Sequence, residues 1–116
     1  MKIYFAHSTH SDFRNNYYKP IKESVIADSN LLIFPHESDD WLNSKEVIKG
    51  CDFVVAEVSQ PSTALGIEMG WANAFSVPIL CVNKRGSEVS VSLKAVTDKV
   101  VVYDNNLANV ILENLS

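Results

Sequence analysis

One uninterrupted segment, Cys51–Cys81 (CDFVVAEVSQPSTALGIEMGWANAFSVPILC), narrows what this chain can fold into. It reads as a strand over Asp52–Val58, a polar turn, a helix from about Ala64 to Phe75 and a second strand over Val77–Val82. The strand centres are almost continuously apolar, which suits strands covered on both faces of a parallel sheet. A carboxylate, Glu68, follows the first of these strands near the start of the helix. Open α/β sheets build their sites at that edge.

The rest of the chain repeats the pattern. Lys2–Ala6 (KIYFA) is a short β-rich run, and Asp12 begins a helix whose apolar face is Phe13, Tyr17, Ile21, Val25 and Ile26. Pro20 interrupts that helix and kinks it. Leu31–Phe34 forms the next strand, Pro35–Asn43 is polar and irregular, and Ser44 caps a short helix that Gly50 stops. A short helix around Val89–Val96, a strand at Lys99–Val102 and a helix over Asn106–Leu115 complete the chain. Five strands alternating with helices predict an α/β fold: a three-layer, Rossmann-like (flavodoxin-like) domain with a five-stranded, mostly parallel sheet. With 116 residues and no repeat or linker, the expectation is a single domain over 1–116.

Charge and composition exclude several function classes. The net charge of −4, with Lys84–Arg85 as the only adjacent basic pair, argues against a nucleic-acid polymer as partner. A small phosphorylated metabolite stays compatible, because hydroxyls and backbone N–H groups hold one phosphate without net positive charge. Cys51 and Cys81 sit in apolar company and read as buried small hydrophobes rather than a disulfide. His7 and His10 lack further ligands at metal spacing, so no metal and no cofactor is expected. The chain enters a strand at once, without a signal-peptide pattern, and no apolar run reaches membrane-spanning length. The expectation is a cytoplasmic protein with no membrane partner. No GxxxxGK[ST] or GxGxxG follows any strand, which sets aside P-loop and dinucleotide-binding domains.

Loops after the first and third strands leave the same sheet edge, so His7–His10 and Ser59–Glu68 converge on one crevice. Ser59, Gln60, Ser62 and Thr63 offer hydroxyls and an amide at a helix start, where anions bind. The residues support two readings. In one, Ser62 or Thr63 simply caps the helix and Glu68 is solvated; in the other, the turn and Glu68 hold a ligand. Gly66 and Gly70 bracket Glu68 and imply close backbone packing or a ligand against the helix. A carboxylate in the first helical turn is held ionised by the helix dipole. It is then a poor acid but a serviceable nucleophile or oxocarbenium stabiliser, as at a glycosyl carbon.

The block VVAEVSQPSTALGIEMGWANAFSVPIL, with the opening KIYFAHS, resembles the nucleoside 2-deoxyribosyltransferase superfamily. The likeness is to its 2'-deoxynucleoside 5'-phosphate N-hydrolase branch and runs from the first strand to about Lys94. The resemblance implies that Glu68 attacks the anomeric carbon and forms a glycosyl-enzyme intermediate, with Tyr4 near the sugar. Ala6, His7, Ser8 and His10 then line the nucleotide pocket, Ser62 binds the 5'-phosphate, and Gly66 belongs to the same contact loop. Ser92 is similar to a serine that reaches the phosphate in the neighbouring subunit, implying a homodimer with shared sites. The implied substrate is a (deoxy)nucleoside 5'-monophosphate. Transferases place an aspartate where Ser62 stands, which would repel a phosphate that serine can donate to.

Two departures accompany the likeness. The hydrolases carry a helper aspartate where this chain has Ser44, so Asp39 or Asp40 is expected to supply the carboxylate, with Asp40 the nearer in sequence. His7 and His10 stand where the hydrolases have glycine and arginine. Trp41 either stacks on the base or anchors its loop, Trp71 packs on a helix face, and Glu57 orients the following loop. Base exchange between deoxynucleosides, and nucleotide binding without turnover, are the competing functions.

Overall fold

The computed structural model describes residues 1–115. Its core is a sheet of β1 (Lys2–His7), β2 (Leu31–Ile33), β3 (Phe53–Glu57), β4 (Ile79–Lys84) and β5 (Val100–Tyr103) in the order β2-β1-β3-β4-β5. Every pairing is parallel. Helices α1 (Lys19–Lys22), α2 (Ile26–Ser29), α3 (Ser44–Lys49), α4 (Thr63–Ala74) and α5 (Leu107–Glu113) flank it, giving the three-layer α/β Rossmann-like architecture. Strand order reverses between β1 and β3, where such sheets open a crevice at their carboxyl ends.

Successive side chains of a strand point to opposite faces, and here both faces are buried. Ile3, Phe5, Phe53, Val55, Leu80 and Val82 enter one core with Tyr17, Ile21 and Ile111. Tyr4, Ala6, Val54, Ala56, Ile79 and Cys81 enter the other, with Ile48, Leu65, Met69 and Ala72. The apolar runs conceal this alternation because neither face is left to water. Cys51 and Cys81 are free and buried in the second core.

The first helical region departs from the single kinked helix that its spacing suggests. A π turn at Arg14–Tyr18 precedes α1, and a break separates α1 from α2. Pro20 has no N–H for the carbonyl of Asn16, and in an α-turn its ring would strike that carbonyl. The chain widens instead, with the Lys19 N–H reaching back to the Arg14 carbonyl. Val25 falls in the break and is 60% exposed rather than on an apolar face. The segment around Val89–Val96 is a 3-10 turn at Val91–Ala95. Among the described residues no helix is long and apolar enough to cross a membrane.

Candidate active site

The centre is a polar triad on the second face of the sheet, with Tyr4 and Glu68 buried and Ser44 half-buried. Tyr4 projects from mid-β1, Glu68 from α4 and Ser44 from the start of α3. The Tyr4 hydroxyl donates to Glu68 Oε2, and Ser44 Oγ lies 3.2 Å from the same hydroxyl. With its single proton committed to Glu68, the phenol oxygen accepts in the second contact, so Ser44 is the donor there. Tyr4 is fully buried and Glu68 is 9% exposed.

Asn43, not Ser44, is the N-cap of α3: its side chain accepts from the Glu46 N–H at 3.4 Å. This corrects the expected cap and frees the Ser44 hydroxyl for Tyr4. A second correction concerns Glu68. Helix α4 starts at Thr63, so Glu68 is its sixth residue and lies beyond the first turn, where the dipole has faded. Burial raises its pKa above the ordinary 4.5, and the hydrogen bond from Tyr4, with the Ser44 hydroxyl close by, offsets only part of that. Tyr4 is likewise pushed well above 10.0, first by burial and then by the neighbouring carboxylate. The pair therefore favours a state carrying a single negative charge or none.

Ser62 is the N-cap of α4, its Oγ accepting from the Leu65 N–H at 3.4 Å. That bond uses one lone pair and leaves the O–H free to donate. Gly66 and Gly70 are exposed, and a Cβ at either would meet nothing within 4 Å. Close packing within the chain therefore does not explain them. Ala6 is buried beneath the site, Ser8 Oγ accepts from the His10 N–H at 3.2 Å, and His10 itself is exposed.

His7 lies on the opposite face of the sheet from Tyr4 and Glu68, where it borders a different cavity. Its parity along β1 is that of Phe5, opposite to Tyr4, so the ring enters the other layer and stacks on Phe13 at 4.4 Å. Burial drives its pKa from 6.5 down to about 4, against the hydrogen bond to the Ser8 carbonyl and with the neighbouring His36 and Arg14 pushing the same way as burial. Between those values the unfolded chain binds the proton and the folded chain does not. The His7 contribution thus makes stability rise with pH from about 4 to 6.5, and His7→Phe is expected to flatten that slope in urea unfolding followed across the range.

Asp39 and Asp40 line a cavity of about 370 Å³ together with Thr9, His36, Trp41 and Ser44. Both carboxylates are exposed, and neither contacts Glu68 or Tyr4. Trp41, 85% exposed, stands on the rim. A larger cavity of about 580 Å³ opens on the opposite side of the strand ends, lined by His7, Glu57, Ser59, Lys84 and Tyr103. Glu57 there takes hydrogen bonds from the Tyr103 hydroxyl and the Ser59 N–H, which fixes the loop after β3. Ser92 lies exposed on the 3-10 turn, outside the residues that this chain gathers around Glu68. The participant that sequence reading left out of the site is Ser44, marked there only as a substitution. Its place at the mouth of the loop before α3 was the available signal.

A doubly wound sheet with a desolvated carboxylate and a phenol near its switch point has these groups where open α/β sheets place their sites. No family model matches the chain. It is 49% identical over 49 residues to the 5-hydroxymethyl-dUMP N-hydrolase of Rattus norvegicus, a match covering 41% of this chain and 26% of that protein. To the protein of the same name in Esox lucius it is 32% identical over 92 residues, 78% of this chain and 54% of the relative. A putative 2'-deoxynucleoside 5'-phosphate N-hydrolase 1 of Syntrophotalea carbinolica is 44% identical over 45 residues, 39% of this chain and 32% of that one. The matched stretches thus span about half or less of the relatives' lengths.

Among solved structures, the fold superposes on the CMP N-glycosidase of Clostridium botulinum with a TM-score of 0.69. Identity is 15%, and the match covers 99% of this chain and 100% of that one. It superposes on a 2-deoxyribosyltransferase of Leishmania mexicana with a TM-score of 0.59 at 19% identity, covering 79% and 75%. The chain belongs to the nucleoside 2'-deoxyribosyltransferase/N-hydrolase superfamily.

Proposed function

We propose that this protein hydrolyses the N-glycosidic bond of a (deoxy)nucleoside 5'-monophosphate, releasing the free base and (deoxy)ribose 5-phosphate. The observation that carries the reading is the buried Tyr4–Glu68 pair, joined by Ser44, on a helix whose start is capped by serine. In the first step a Glu68 oxygen bonds to C1' as the C1'–N bond breaks, and its electron pair leaves with the base, which gains a proton. Water then attacks C1' and returns a proton to the group that protonated the base, the ester C–O bond breaks, and Glu68 is regenerated as a carboxylate. Desolvation makes the ionised carboxylate a stronger base than one in water, and Tyr4 holds the oxygen not used in attack.

Ser62 supports a phosphorylated substrate, since its O–H is free to donate to a 5'-phosphate. The exposed His10 N–H turn and the open space over Gly66 stand beside it. Asp40 or Asp39, on the neighbouring cavity wall, is the proposed proton source for the base. The names of the relatives, N-hydrolases of deoxynucleotides, support the same class of substrate. A homodimer, with Ser92 serving the site of a second copy, completes the proposal; the uncharged exposed face of α4 at Ala64, Ile67, Gly70 and Ala74 supports it.

Incubation with the deoxynucleoside and ribonucleoside monophosphates, and with the matching nucleosides with and without an acceptor base, tests the reading. Free base plus sugar 5-phosphate is the expected result. Base exchange on unphosphorylated nucleosides alone would overturn it in favour of a transferase. Gly66→Ala separates fold from site: it is expected to stabilise the helix by about 0.5–1 kcal/mol in urea unfolding. The same variant raises KM for the monophosphate, because its methyl enters the space proposed for ligand.

A further inference from the structure

His7 is buried at 5% exposure, yet it carries two hydrogen bonds whose directions can be worked out. Its Nδ1 lies 2.9 Å from the Ser8 carbonyl, which only accepts, so Nδ1 bears the proton. In a neutral ring Nε2 is then an acceptor, and the Tyr18 hydroxyl at 2.5 Å donates to it. The Tyr18 oxygen in turn accepts from the His36 backbone N–H at 3.0 Å. The result is a one-way chain from His36 N–H through Tyr18 and the imidazole to the Ser8 carbonyl. Arg14 reinforces its far end, with Nη2 3.2 Å from the His36 carbonyl.

The two ends of this chain lie in different loops. Ser8 belongs to the loop after β1, whose Ser8 hydroxyl also holds the His10 N–H at 3.2 Å. His36 opens the loop after β2, which runs past Asp39, Asp40 and Trp41 to Ser44. Thr9 from the first loop and His36 to Ser44 from the second wall the same cavity. Rings of Phe13, Tyr17 and His36 pack around the imidazole at 4.4, 5.6 and 5.3 Å.

We infer that His7 and Tyr18 are positioning residues, a neutral-imidazole latch that fixes the loops after β1 and β2 relative to each other around the Glu68 crevice. The inference rests on that crevice being the substrate site. Neither side chain touches substrate; both act through the Ser8–His10 turn and the loop that carries Asp40. The latch requires the unprotonated ring, because an imidazolium has no lone pair for Tyr18. The titratable or charged groups around it are Tyr17, Tyr18 and Arg14 from the helical segment and His36 from the loop after β2, with Glu57 beside it in register on β3.

Tyr18→Phe keeps the ring and removes both hydrogen bonds. In the base-release assay KM for the monophosphate is expected to rise about fivefold or more, with kcat within about twofold, since binding loops rather than the nucleophile are loosened. His7→Gln, which can accept and donate along the same line, is expected to stay nearer the wild type than His7→Phe. Two readouts need no turnover. Nitrogen-15 correlation spectra of the wild type should show His7 protonated on Nδ1, and the His36 amide should exchange about tenfold faster in Tyr18→Phe. Protonation on Nε2, or unchanged His36 exchange, overturns the latch. Unchanged KM in Tyr18→Phe, with an active wild type, overturns its role in the site. A wild type that releases no base from any monophosphate defeats the proposed function instead, and the spectroscopic arms still decide the latch.

Discussion

Glu68→Gln is expected to abolish base release, lowering kcat by about three orders of magnitude or more, while nucleotide affinity changes little. Amide nitrogen and oxygen are far weaker nucleophiles than a desolvated carboxylate, and no second carboxylate among the described residues touches Tyr4. The same substitution carries an expectation of opposite sign for stability. Burial raises the folded-state pKa of Glu68, so the fold prefers its protonated form. The stability that this preference contributes is full below 4.5 and is lost as pH rises through the folded pKa. Once ionised, Glu68 keeps a charge that its core resists, and glutamine removes that charge while still accepting from Tyr4. A variant that is inactive yet melts higher than the wild type at neutral pH, and equally at acid pH, is the expected pattern. Retained base release would defeat the nucleophile assignment, and a lower Tm at neutral pH would defeat the account of Glu68 as a strained group.

The layered sheet was legible because strand runs such as VVAEV and PILCV are too apolar for anything but burial on both faces. The carboxylate on the helix after β3 was legible for the same reason: one charge in an otherwise uncharged helix demands an explanation. Its environment was not. Counted from Ser62, Thr63 or Ala64 alike, Glu68 falls past the first turn, and the direction of its pKa is set by burial, which only the tertiary fold supplies. Parity along β1 was in the sequence throughout and separates Tyr4 from His7, whereas proximity in sequence groups them. The break after α1 was harder to see. Pro20 announces a disturbance, but a π turn that absorbs it depends on the packing of Tyr17 and Tyr18 against the sheet. Ser44 was hidden by its neighbour, since either Asn43 or Ser44 makes a good cap and only the tertiary fold decides between them.

Ser62→Asp is expected to reverse the preference between nucleotide and nucleoside while leaving the fold intact. Aspartate is as good an N-cap as serine, and its charge suits the start of α4, so the Leu65 N–H keeps a partner and stability should hold within about 0.5 kcal/mol. At the ligand the exchange is not neutral. Serine offers an O–H that the cap does not use, and a phosphate accepts it; a carboxylate offers only acceptors and repels the phosphate charge. Losing a charge-assisted hydrogen bond removes about 1.5–3 kcal/mol, and repulsion at contact distance adds to it. Together they predict a fall in kcat/KM for monophosphates of at least about a hundredfold. The free 5'-hydroxyl of a nucleoside, by contrast, can donate to the new carboxylate, so kcat/KM for nucleosides should rise or at least not fall. Because the cap survives, unfolding midpoints measured beside the kinetics distinguish this outcome from a damaged helix. If both substrate classes fall together at unchanged stability, Ser62 is not where the phosphate is read. The search would then move along the same edge, to the Ser8–His10 turn that the latch holds in place.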